Sequence, residues 1–197
     1  MHILLTLLPI LSALPLALAI PTTSSHHLSL SPRQRRPDER GRISLYLTSG
    51  PNSNTPLSRV GCLNAYGRLI NTSSPSLCAI YTLAQLDPFT GSTTQGQCGY
   101  HDERETVNDD AGFGWYAFTC RQELRNVSLQ DQLSPVPGPN GITHLVTAAG
   151  SGPNWMWYAK RGSAGENDAV EVFFQGPKLG EGRLSLVALW EREIIMV

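Results

Sequence analysis

The chain has 197 residues, 41% of them hydrophobic, and its 15 basic and 16 acidic side chains leave a formal net charge of −1. Residues 43–197 are enough for one domain with a real core, and nothing in the composition calls for a second. Setting aside the arginine-rich stretch 33–42 leaves 10 basic and 14 acidic residues. That balance is a poor platform for a phosphate backbone, so nucleic acid is disfavoured as a partner.

Residues 1–19, MHILLTLLPILSALPLALA, are apolar and contain no Lys, Arg, Asp or Glu. They end in Ala17-Leu18-Ala19, the small-x-small pattern of a signal peptidase site. Pro9 and Pro15 argue against a stable membrane-spanning helix, and the polar stretch that follows supplies no stop-transfer signal. The segment reads as a signal peptide, which points to the extracellular space, the cell wall or a vacuolar lumen and not to a membrane. Residues 20–42 are rich in Ser, Thr, His and Pro and then turn basic at Arg33-Gln34-Arg35-Arg36. They read as a disordered basic arm or a short pro-segment. Two sequons agree with export, Asn71-Thr72-Ser73 and Asn126-Val127-Ser128.

From residue 43 onward the pattern is alternation, and helical periodicity is scarce. Ile43 to Thr48, Leu77 to Leu83, Phe113 to Cys120, Ile142 to Val146 and Ala169 to Phe174 each read as strands. Leu184 to Trp190 is apolar on both faces, as a central strand should be. Clusters of Gly, Pro, Asn and Ser separate them. Pro135 to Gly141 reads as a long loop. Short strands at regular spacing predict an all-β fold, an antiparallel β-sandwich or barrel, over residues 43–197.

Four cysteines allow three pairings. Asn64-Ala65-Tyr66-Gly67 looks like a hairpin turn just after Cys62, so a Cys62–Cys78 link would tie the two arms of one hairpin. Cys98–Cys120 would tie the next, and crossed pairings stay open. A local link of this kind contributes about 3 kcal/mol in the chain-entropy account. No C-x-x-C pair is present, so a zinc site is disfavoured and no metal or other cofactor is expected.

The residues around these cysteines carry a resemblance. Val60-Gly61-Cys62-Leu63, a turn, then Leu77-Cys78-Ala79-Ile80-Tyr81-Thr82, with Cys98-Gly99 and Phe118-Thr119-Cys120 following, resembles the C-terminal domain of fungal T2-type ribonucleases. That domain also occurs as a stand-alone small secreted protein. The resemblance spans about residues 43–190 and implies a non-catalytic module. The His-containing motifs of the catalytic part of such ribonucleases are missing. The chain departs from the pattern in an acidic insert, His101 to Asp110, and in a tail, Glu191 to Val197.

Candidate sites follow from residue chemistry. Asn154-Trp155-Met156-Trp157-Tyr158 would place Trp155 and Trp157 on one side of a strand and Tyr158 on the other. Planar rings stack on sugars, so Trp155, Trp157 and Tyr158 are the binding candidates; an inner strand with both faces covered is the competing reading. The acidic insert reads as a solvated hairpin tip. Its carboxylates could instead bind calcium, or His101 with Glu103 or Glu105, and His144, could serve a small secreted ribonuclease or other hydrolase. The favoured expectation is a monomeric, secreted, non-catalytic module that binds a wall polysaccharide or a protein partner in the manner of an effector.

Overall fold

A computed structural model describes residues 38–50, 53–84, 90–108, 116–124, 132–149, 152–154, 156–163, 165, 167–174 and 182–193. They belong to one compact unit running from Arg35 to Val197. The leader, most of the basic arm, Trp155, Asn126, Asp109 and Asp110 lie outside the described residues.

Among the described residues thirteen strands form one antiparallel sheet: β1 (Glu39–Leu47), β2 (Arg59–Leu63), β3 (Leu69–Ile70), β4 (Tyr81–Leu83), β5 (Gly91–Thr93), β6 (Gly96–Gly99), β7 (Thr119–Arg121), β8 (Leu133–Pro137), β9 (Thr143–Ala149), β10 (Gly152–Asn154), β11 (Trp157–Ala159), β12 (Val172–Phe174) and β13 (Leu184–Arg192). The main path runs β10-β9-β13-β1-β4-β5-β6-β7, with β11, β12, β2, β3 and β8 pairing off it. The all-β antiparallel expectation stands. Among the described residues the strands do not close into a barrel. No α-helix occurs among the described residues, only 3-10 turns such as Pro75–Leu77 and Pro139–Gly141.

The central pair is β1 with β13, in register from Gly41 opposite Arg192 to Leu47 opposite Leu186. β13 also pairs with β11 and β9, which is why its sequence is apolar on both faces. Ile43, Leu45, Leu186, Ala188 and Trp190 enter the main core with Trp157, Phe118, Phe174, Tyr81 and Tyr100. Val187 and Leu189, of the other parity, are buried as well.

Four sequence expectations change. β1 begins at Glu39, so Arg40 and Arg42 are strand residues and not part of a disordered arm. Their backbones pair with β4 and β13, and Arg40 lies 3.5 Å from Glu193. The same pairing takes Glu191 and Arg192 of the tail into β13. Pro135 and Pro137 lie in β8 and not in a loop. Among the described residues β8 pairs with β9 alone, and prolines are tolerated on such an edge because the lost N–H can face away from the ladder. Pro75 starts a 3-10 turn, so the strand expected from Leu77 begins at Tyr81. Of the strand expected over 113–120, the described part is a bridge at Tyr116 and the start of β7.

Both local disulfides are present, Cys62–Cys78 and Cys98–Cys120. Cys98 and Cys120 face each other directly across β6 and β7. Cys62 reaches Cys78 by a different route from the one expected. The hairpin arm opposite β2 is β3, with Ile70 opposite Cys62, and Cys78 lies just beyond the following 3-10 turn. β2 and β3 approach closely at Gly61, where a methyl group would overlap the Ile70 carbonyl. Gly61→Ala is expected to cost about 2–3 kcal/mol, because the obstacle is backbone and cannot rotate away. A lowered midpoint in urea unfolding checks this, and an unchanged midpoint would refute the packing account.

Candidate ligand-binding cleft

A recess among the described residues begins at the β2–β3 turn. Asn64 organises it: its Oδ1 accepts the N–H groups of Tyr66 and Arg68, each at 3.0 Å, and its own N–H donates to the Arg68 carbonyl at 2.9 Å. Gly67 supplies the left-handed residue the turn requires, with φ +81°, and any side chain there would press on Phe118. The turn is fastened to β7 by the Cys120 N–H, which donates to the Tyr66 carbonyl at 3.2 Å. Tyr81 adds a bond from its hydroxyl to the Asn64 carbonyl at 2.8 Å. Tyr66 therefore has a fixed backbone while its residue stays 57% exposed.

Arg68 leaves the same turn and donates through Nη1 to the Phe118 carbonyl at 3.2 Å and through Nη2 to Glu105. Arg121 of β7 pairs with the other Glu105 oxygen, and its Nε lies 3.3 Å from Asp102. Arg104 grips Asp102 with both Nε and Nη2, at 2.8 and 2.7 Å. The result is an alternating chain, Arg68–Glu105–Arg121–Asp102–Arg104. The two carboxylates are its buried members, with side chains only 4% (Asp102) and 7% (Glu105) exposed. The hydrogen bond from Arg104, aided by Arg121, holds the Asp102 carboxyl below its ordinary range. Burial pulls the Arg68 guanidinium down, and Glu171 opposes that shift.

These elements enclose a cleft of 490 Å³ lined by Asn64, Tyr66, Arg68, Glu105, Thr119, Cys120, Arg121 and Ala169. Its polarity is mixed and its charge is balanced. The three arginines face Asp102 and Glu105, and Glu171 and Glu123 act on Arg68 and Arg104 from nearby. A polyanion finds no excess of positive charge there.

The sequence candidates fall elsewhere. Trp157 is fully buried, its ring set edge-on to Phe174 at 3.8 Å and to Phe118 at 5.4 Å. Tyr158 is 1% exposed, stacks on Phe173 at 5.1 Å, and its hydroxyl donates to Asn108. Asn108 in turn donates to the Phe174 carbonyl at 2.7 Å. Both faces of β11 are covered, so Trp157 and Tyr158 are core residues and offer no stacking platform.

The described part of the acidic insert, residues 101–108, is a solvated tip only in part. Glu103 is exposed, but Asp102 and Asn108 are buried. Glu105 sits between two guanidiniums and cannot act as a free general base. His101 is half-buried against Tyr100, with ring centroids 4.7 Å apart. His144 lies in β9, at the opposite end of the strand order from β6 and β7, and burial lowers its pKa. Among the described residues no group of three or more His, Cys, Asp or Glu is placed to hold a metal ion. No helix there is long and apolar enough to cross a membrane.

Comparison with protein-family models, with curated proteins and with solved structures returns no match.

Proposed function

We propose that this chain is a secreted, non-catalytic module that binds glycan, and that it does so at the Tyr66 cleft and not at the tryptophan strand. The observation that carries this is Tyr66 itself, an exposed ring on a rigid turn beside two guanidiniums and a carboxylate. Sugars present an apolar C–H face and an equator of hydroxyls. They suit a flat ring flanked by planar hydrogen-bonding groups. The balanced charge of the cleft favours a neutral saccharide over RNA. Export is supported by the leader-like segment and by two disulfides, which persist in oxidising compartments. Asn71 is exposed just after β3, which makes it accessible to a glycosyltransferase. The kinship with the C-terminal domain of T2-type ribonucleases rests on the cysteine-flanking motifs and belongs to the same proposal.

Purified protein is to be incubated with chitin, β-glucan, mannan and RNA. Saturable retention on one polysaccharide is expected, with RNA left intact. Tyr66→Ala should lower that retention by about tenfold while circular dichroism stays unchanged. Retention on none of them would refute the glycan reading. A protein partner is the second reading, and the exposed Leu57, Leu77 and Val107 are the observation in its favour.

A further inference from the structure

We infer that Asn71 receives an N-linked glycan before the fold is complete, and that closure of the Cys62–Cys78 bridge ends its competence as an acceptor. The inference rests on export as proposed above and concerns a modification of the chain, not the ligand it holds. Asn71-Thr72-Ser73 lies between β3 and the 3-10 turn at Pro75. Its residues alternate: Asn71 and Ser73 are exposed, whereas Thr72 between them is only 5% exposed. The acceptor residue and the serine that completes the sequon both reach solvent, which leaves room for an attached glycan in the finished fold.

The backbone of the same segment is pinned. The Asn71 N–H donates to Ser163 Oγ at 3.0 Å, and that hydroxyl donates to the Gly165 carbonyl at 2.7 Å. The Thr72 carbonyl accepts from Arg59 Nη1 at 3.0 Å, and the Thr72 hydroxyl accepts the Ser74 N–H at 3.0 Å. Beyond the sequon the Cys78 N–H donates to the Pro75 carbonyl at 3.2 Å. The Cys62–Cys78 bridge encloses all of it in a loop of sequence separation 16. A transferase must draw the acceptor segment off the surface and shape it around its own catalytic groups. Here that breaks the bonds to Ser163 and Arg59 and carries Thr72 into solvent. Those two bonds alone disfavour the opened segment by about tenfold or more. In the reduced, unfolded chain nothing holds the sequon, so transfer and bridge closure compete for the same residues.

The test has two arms. The full chain with its leader is expressed in a eukaryotic secretory host, and the Asn71 peptide of the exported protein is examined by mass spectrometry; an attached glycan is expected. Unglycosylated full chain is then offered to a microsomal extract, either oxidised and folded or reduced and alkylated. The folded form should be modified at Asn71 about tenfold more slowly, or slower still. Cys62→Ser with Cys78→Ser opens this bridge alone and should speed modification of the folded form by about fivefold or more. Ser163→Ala leaves the sequon and both bridges intact, frees the Asn71 N–H, and should speed it by about fivefold with circular dichroism unchanged. Equal rates for the folded and reduced chains, or folded-form rates indifferent to these substitutions, would overturn the inference and leave export standing. No glycan on the reduced chain would remove Asn71 as a site. A chain that stays in the cytosol with its leader uncleaved would overturn export, and the inference with it.

Discussion

Trp157→Ala is expected to destabilise the protein by about 4 kcal/mol, within the range for deleting a buried aromatic from a well-packed core. The indole is fully buried and contacts Phe118 and Phe174 edge-on. Its β11 backbone is paired on one side with β12 and on the other with β13. The surrounding residues belong to paired strands and can collapse into the space only in part, so the cavity term stays large. Trp157→Phe keeps most of the apolar area and should lose about half as much. Urea unfolding of both variants checks the magnitude. If Trp157→Ala proves as stable as the parent while losing ligand, the ring is a binding surface and its assignment to the core is wrong.

The second large effect is expected at Glu105. Glu105→Leu removes the carboxylate that joins Arg68 to Arg121 and leaves two guanidiniums facing each other. Breaking a fully buried pair costs about 3–5 kcal/mol. Here Arg121 reaches solvent with a third of its side chain exposed (34%), so screening reduces the expected loss to about 2 kcal/mol. A double-mutant cycle with Arg68→Met should recover part of that loss, because the remaining buried charge goes with it. If the two single losses simply add, the chain of ion pairs does not act as a unit.

Acid should weaken the fold in two separate ranges. His144 is buried and its pKa is lowered by desolvation. The unfolded chain then takes up the proton first, and stability contributed by the neutral ring declines as pH falls below about 6.5. Asp102 is also lowered, chiefly by its hydrogen bond from Arg104. Its contribution is complete above the ordinary carboxylate pKa and is lost as pH drops below about 4. His144→Gln should flatten the first decline and leave the second. Unfolding midpoints between pH 3 and 8 would show this, and a single decline insensitive to His144→Gln would contradict it.

The sheet was legible where the residues follow one rule. Alternation located β1, β9 and β12, and the two-sided apolar run located β13. Local spacing identified both disulfides, although the partner of β2 is β3 and not the segment that carries Cys78. β8 escaped because two prolines argue for a loop unless the strand lies on an edge, and edge position is a property of the assembled sheet. The alternation at Trp157 and Tyr158 was read correctly in its two faces. What a single strand could not report is that Phe173, Ala117 and Asn108 cover the second one. The cleft was least legible. Asn64 to Gly67 was visible as a turn, but Tyr66 acquires its role from Cys120, and Arg68 and Arg121 acquire theirs from a carboxylate in the insert. Charge alone predicts a solvated tip there; Arg104 lies within the insert itself, but Arg68 and Arg121, which pair with Glu105, come from distant parts of the chain.

The fastening of the β2–β3 turn to β7 has a consequence for how the molecule matures. Cys62–Cys78 closes a sequence separation of 16 residues and Cys98–Cys120 one of 22, whereas Arg68 meets the Phe118 carbonyl across 50. Short-range closures form readily, and contacts of long sequence separation form late because more chain must be ordered to make them. During oxidative refolding each staple should therefore appear before the cleft does. Ligand capture would then count finished molecules, and a fully oxidised species that cannot yet bind should be observable as an intermediate.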